Sequence, residues 1–219
     1  MPAPRAESPS GREGIIAPPR GPRSERIHEA VLAATEELLS EGGLPAATVD
    51  AIAARSGVSK VTIYKHWPSR NAVAAKAFGR MMELELRLPD TGTSLGDLTE
   101  HVVQVSAFYD GARGRVFTQL LGACVDDPAG AAYFREYFLT GRREAVASLW
   151  QRALDRGDAD PSVAVDDVID ILFGPLIFRR MTGHLPLTEE NARRHAATAL
   201  RSLLAQPPSD SDQHTRNGP

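Results

Sequence analysis

Three residues at fixed spacing, Ala53-x3-Gly57-x5-Ile63, restrict this chain more than any other feature. Two short helices that cross closely need a small residue where they touch and a residue tolerant of left-handed backbone in the turn. They also need an apolar residue on the second helix facing the first. Ala53, Gly57 and Ile63 fill these three places. The flanking residues agree: Thr48 stands where it can cap a helix over VDAIAARS, with Asp50 in a first turn whose dipole suits its charge. Ser59 can cap a following helix, KVTIYKHW, which Pro68 closes. Ile52, Val58, Ile63 and Trp67 supply the packed side, so Ser59, Lys60, Thr62, Lys65 and His66 point outward. A short helix with a polar, basic outer face fits a DNA major groove ~12 Å wide.

Elsewhere the apolar period is helical and no alternating strand of useful length occurs, so the expected fold class is all-α. A first helix should open near Ser24, bury Ile27, Val31, Ala34, Leu38 and Leu39, and stop at Gly42-Gly43. Ser69 can cap a fourth helix carrying Val73, Ala77, Met81 and Leu84. Longer helices are expected over 94–109, 114–124, 129–156, 161–181 and 188–204, with breaks at Pro89, Pro128, Gly157, Gly183 and Pro186. Pro2, Pro4, Pro9, Pro18, Pro19 and Pro22 mark residues 1–23 as a flexible arm. Arg20 and Arg23, with Arg26 beyond, suit a DNA backbone or minor groove, an inert leader being the alternative. Residues 206–219 read as a frayed tail. The expected organisation is a DNA-binding domain over 24–80 and a helical ligand-binding and dimerisation domain over 81–205.

Net charge is −3, which alone argues against a nucleic-acid partner, but its distribution does not. From Ala51 to Met82 there are six basic residues and no Asp or Glu, so this window carries +6 and the remainder −9. A positive element in an acidic protein attracts phosphate locally and discourages wrong orientations; a solvated helix face is the bland reading. A single cysteine, Cys124, excludes an intramolecular disulfide and a cysteine-cluster metal site. No membrane span or signal peptide is visible, and the cytoplasm is the expected compartment. HExxH, GxSxG, GxGxxG and P-loop patterns are absent. The six histidines show no metal-ligand spacing, and the pairs Asp126-Asp127 and Asp166-Asp167 read as solvated. Neither an enzyme nor a cofactor is expected.

The stretch from Thr48 to Phe78, TVDAIAARSGVSKVTIYKHWPSRNAVAAKAF, resembles the DNA-binding domain of tetracycline-repressor-type (TetR/AcrR) regulators, most specifically over residues 57–70. The resemblance implies an all-helical homodimer on a pseudo-palindromic double-stranded operator, with a small-molecule effector in the C-terminal domain. By position in the family motif, Lys60, Val61, Thr62 and His66 are similar to base-reading or groove-facing residues. Thr48, Tyr64 and Arg70 match positions that grip phosphates. Chemistry agrees in part: Lys60 can donate to guanine O6/N7, Thr62 can meet a thymine methyl, and Arg70 offers a fork suited to phosphate oxygens. Tyr64 as a packed aromatic and His66 as a bystander are the alternatives. Two positions depart from the family pattern: Val61 stands where a very small residue is common, and Arg70 replaces the usual lysine.

In the second domain, Phe108, Phe117, Leu121, Tyr133, Tyr137 and Trp150 are candidates to line an effector pocket, ordinary core being the alternative for each. Residues 167–188 resemble the penultimate helix through which one branch of the family dimerises. Val165, Val168, Ile169, Leu172 and Leu176, with Ala196, Ala199, Leu200 and Leu203, are the residues expected to meet a second copy in a four-helix interface.

Overall fold

The structure is a computed structural model that describes residues 15–16, 21–82 and 88–204. In chain order its helices are α1 (Pro22–Ala46), α2 (Val49–Ser56), α3 (Lys60–His66), α4 (Arg70–Met82), α5 (Ser94–Asp110), α6 (Ala112–Ala123), α7 (Pro128–Phe134), α8 (Thr140–Asp155), α9 (Val165–Thr182) and α10 (Glu189–Leu200). A π-helical turn, Arg135–Leu139, joins α7 to α8. Among the described residues there is no strand, only an isolated bridge between Ala159 and Leu204, and the fold is all-α as expected. Of the expected arm, only Ile15, Ile16 and residues 21–23 are described; Arg20, Leu84 and the expected tail lie outside the described residues.

Helix α1 opens before the expected Ser24 cap. Pro22 occupies its first turn, where a missing N–H leaves nothing unpaired and the fixed φ suits a helix. The Ser24 N–H instead donates to the Gly21 carbonyl at 3.0 Å. Helical geometry breaks at Gly43 (φ 69°, ψ −162°), and a last turn through Ala46 leads to α2. The single helix expected over 129–156 is divided into α7, the π turn and α8. There the chain meets α4 backbone to backbone: a Cβ on Gly79 would lie 2.2 Å from the Tyr137 carbonyl oxygen. Helix α9 begins at Val165 rather than at Pro161, and runs on through Pro175.

The described residues fall into two compact units. One comprises the chain up to Met82 with 111–142; the other comprises 88–110 with 143–204. In the first, Phe78, Phe117, Phe134 and Phe138 are buried with ring centroids 5.1–5.7 Å apart. Burying each ring contributes roughly 2–3 kcal/mol. In the second, Leu98, Val102, Trp150, Val168, Leu172, Leu176, Ala196 and Leu200 form the core. Buried Asp97 accepts from the Thr91 N–H at 2.6 Å and from Arg156 at 3.0 Å, so its charge is compensated where water is excluded.

Candidate nucleic-acid interface

Local chemistry shapes the two helices of the motif. Thr48 Oγ1 accepts the Ala51 N–H at 3.1 Å and starts α2. Gly57 ends it at φ 69°, ψ 10°, and donates its N–H to the Ala53 carbonyl at 3.1 Å. The backbone is left-handed here, so glycine is required by φ and not by space. Ser59 Oγ then accepts the Thr62 N–H at 3.2 Å and starts α3. Ile52, Ile63 and Trp67 are buried and Val58 is half-buried, so the two helices lock through one apolar side.

The other side of α3 is open. Val61 is 82% exposed, Tyr64 51%, and Ser59, Lys60 and Lys65 are exposed as well. Thr48 is exposed at the start of α2. Thr62 is half-buried and its hydroxyl shares a hydrogen bond of 2.9 Å with that of Ser59. His66 does not share the open face: it is half-buried, with its ring 4.8 Å edge-on to His28 and 5.9 Å from Trp67. Burial, then the nearby Lys65 charge, lower its pKa. Arg70 turns inward too, donating from Nε to the Ala47 carbonyl at 3.1 Å and from Nη2 to the Leu44 carbonyl. Its guanidinium therefore fastens the end of α1 to the start of α4.

Carboxylates elsewhere in the chain meet three of the window's six basic residues. Arg55 pairs with Glu41 at 2.7 Å and Glu37 at 3.5 Å, and Arg80 with Glu29 at 2.6 Å and with Glu36. Lys60 pairs with Asp50; their hydrogen bond, then the carboxylate's charge, raise the lysine pKa. Lys76 places Nζ 4.8 Å from the centroid of the Tyr137 ring. The acids come from α1 and α2, so a count confined to the window overstates its field.

Asp127, read from the sequence as solvated, is an anchor. Its carboxylate accepts from Ser69 Oγ at 2.6 Å, from Asn71 Nδ2 at 3.1 Å and from the Gly130 N–H at 3.0 Å. Burial opposes its ionisation, but these donors hold the carboxyl below its ordinary pKa. It thereby caps α7 and grips the start of α4, since Ser69 Oγ also accepts the Ala72 N–H at 3.1 Å. Asp before Pro at a helix start signals the cap; the partners at the start of α4, Ser69 and Asn71, are 56–58 residues away and leave no local trace.

The effector-site candidates divide between the units. Phe117 belongs to the four-phenylalanine core, and Leu121 is half-buried. Tyr133 is buried and its hydroxyl accepts the Ile16 N–H at 3.1 Å; Tyr137 is half-buried with its ring 5.6 Å from that of Tyr133. These four lie in the first unit, whereas half-buried Phe108 and buried Trp150 lie in the second. None of the six lines the clefts of about 310 and 910 Å³ found one in each unit.

Of the nine expected dimer residues, Val165 and Ile169 are half-buried, and the other seven need correction. Val168, Leu172, Leu176, Ala196, Ala199, Leu200 and Leu203 are buried within the single chain. The exposed apolar stripe of α9 is Ile171, Phe178 and Met181, with Gly174 between them. Period alone cannot distinguish burial by the same chain from burial by a second one.

The match to "Bacterial regulatory proteins, tetR family" spans residues 31–77, and that to "Tetracyclin repressor-like, C-terminal domain" spans 88–199. The uncharacterized HTH-type transcriptional regulator YdeS of Bacillus subtilis (strain 168) is 32% identical over 184 residues, covering 84% of this chain and 93% of that protein. Rv1556 of Mycobacterium tuberculosis, likewise named an uncharacterized HTH-type transcriptional regulator, is 29% identical over 175 residues, 80% of this chain and 84% of its own length. The crystal structure of the TetR family transcription regulator SCO0332 superposes with a TM-score of 0.70 at 29% identity, covering 83% of this chain and all of that one.

Proposed function

The chain belongs to the TetR family of DNA-binding transcriptional regulators, and on that footing we propose that it binds a pseudo-palindromic operator as a homodimer and is released by a small molecule. The observation that carries this reading is the open face of α3. Val61, Tyr64, Lys60 and Lys65 stand exposed on a helix whose opposite side, Ile63 and Trp67, is fully buried. In this reading Lys60, Val61 and Thr62 meet base edges, while Thr48, Ser59, Tyr64 and Lys65 meet phosphate or sugar. Arg70 and His66 serve by holding α3 in place, since both face inward.

The second copy covers the apolar stripe of α9. Ile171, Gly174, Phe178 and Met181 recur at helical spacing, and a Cβ on Gly174 would meet nothing within 4 Å, so a partner helix has room to approach. Pairing two recognition helices sets them about 34–36 Å apart, one turn of B-DNA. The effector shifts the population towards dimers with the wrong spacing. Tyr133, Tyr137, Phe117 and Leu121 are its candidate contacts in the first unit, and Phe108 and Trp150 in the second. Tyr133 and Tyr137 have the best support, because their rings adjoin and one hydroxyl already accepts a hydrogen bond. A cytoplasmic site of action is part of this reading; among the described residues no helix is long and apolar enough to cross a membrane.

Iterative selection from random duplexes tests it. An enriched inverted repeat with half-sites about ten base pairs apart is the expected result. Recovery of no sequence would overturn the operator reading.

A further inference from the structure

Tyr133 is buried in the first unit, near the end of α7. Burial raises the pKa of its phenol, and a hydrogen bond from the Ile16 backbone offsets this only in part. A hydroxyl held away from water needs a partner inside the protein, because it has given up its bonds to solvent. The partner here is remote in sequence: the Ile16 N–H, 117 residues away, donates to the Tyr133 hydroxyl at 3.1 Å. In the π turn that follows α7, the Tyr137 ring adjoins that of Tyr133 at 5.6 Å between centroids.

The two arm residues show how the segment is held. Ile15 is half-buried, whereas the Ile16 side chain stands exposed although its N–H is engaged. Tyr133 therefore grips the arm by its backbone, and what the seat holds is an apolar secondary amide. From Ile16 to Gly21, the N-cap of α1, is five residues, at most ~18 Å of extended chain. So short a tether gives the arm an effective concentration on the order of millimolar at its seat. A molecule present at micromolar concentration meets a seat already taken.

We propose that Ile15–Ile16 is an internal ligand of Tyr133, an autoinhibitory plug in a seat that otherwise takes an apolar molecule with a neutral amide N–H. Such a molecule must displace the arm and bring a donor of its own, because the buried hydroxyl is left unpaired without one. The seat does not depend on how the chain meets DNA; its bearing on an effector rests on the reading of Tyr133 as an effector contact.

Amide exchange in the full chain, followed by NMR, reads the seat. The Ile16 N–H should exchange about tenfold more slowly in wild type than in Tyr133→Phe, which keeps the ring and removes the acceptor. Equal rates overturn the seat. Displacement is read with a labelled peptide of residues 14–19, acetyl-GIIAPP-amide, in anisotropy titrations. Ile16→Pro removes the N–H at a position outside every described helix and vacates the seat, so the peptide should bind that chain at least about tenfold more tightly than wild type. Ile16→Ala, which keeps the N–H and loses only an exposed side chain, should exclude the peptide as wild type does. A peptide N-methylated at its second isoleucine should bind the vacated seat about tenfold more weakly. Equal binding, or none, to wild type and Ile16→Pro overturns the internal ligand, and so does indifference to N-methylation. Neither readout involves DNA or an effector. An effector that binds while the Ile16 amide stays protected would refute the effector reading of Tyr133 and leave the seat in place.

Discussion

Lys60 meets Asp50 of the preceding helix before it meets any base, because both side chains are exposed and paired in the free protein. In the proposed reading, duplex DNA displaces that carboxylate. Asp50→Asn should therefore raise affinity for the selected duplex about two- to fivefold in a salt-dependent way, as anisotropy titrations would read. His28 sets a second residue-scale prediction. Its ring stacks 4.3 Å from that of Trp67, and burial, then the charges of Lys76 and His66, lower its pKa from 6.5 to about 4. Between those values the unfolded chain takes up a proton that the folded chain refuses, so stability is complete above pH 6.5 and declines as pH falls. With ~1.4 kcal/mol per pKa unit, discounted for partial solvent access, the loss by pH 5 is on the order of 1 kcal/mol. Thermal melts at pH 7.5 and 5.0 should show it, and His28→Leu should remove that component. Caps such as Thr48 and Ser59 were legible in the sequence because their partners lie three residues on. The inward grip of Arg70 was not, because its carbonyls lie 23 and 26 residues back.

At the scale of elements, the turn between α2 and α3 was readable from Ala53, Gly57 and Ile63, where every requirement is local. The division of 129–156 was not, since one extra residue in a π turn barely alters an apolar period of 3.6. Its mark is on another helix, at Gly79. Helix propensity favours alanine there by ~1 kcal/mol, but a Cβ 2.2 Å from the Tyr137 carbonyl oxygen costs about 3 kcal/mol in overpacking, so crowding wins. Gly79→Ala should lower stability by about 2 kcal/mol in denaturant titrations. Gly122→Ala on α6, where a Cβ meets nothing within 4 Å, should instead be neutral or stabilising by up to ~1 kcal/mol.

For the whole molecule, helical class and the DNA-binding end were legible, while the exposed apolar stripe of α9 was not, because only burial separates Leu172 and Leu176 from Ile171 and Phe178. The basic window was overvalued for a related reason, since its counter-charges sit on α1 and α2. Phe178, 61% exposed, is the stripe's largest side chain. In the proposed dimer, Phe178→Glu should give a monomer at micromolar concentration in light scattering, leave the melting temperature of the subunit nearly unchanged, and weaken binding to the proposed operator; a variant that stays dimeric would place the interface elsewhere. The most direct test of sequence reading by α3 compares wild type with Lys60→Ala on the selected duplex and on its scrambled counterpart at physiological ionic strength. Base reading predicts a loss of about ten- to hundredfold on the selected duplex and little change on the scrambled one. Equal loss on both would contradict it and reduce Lys60 to a phosphate contact.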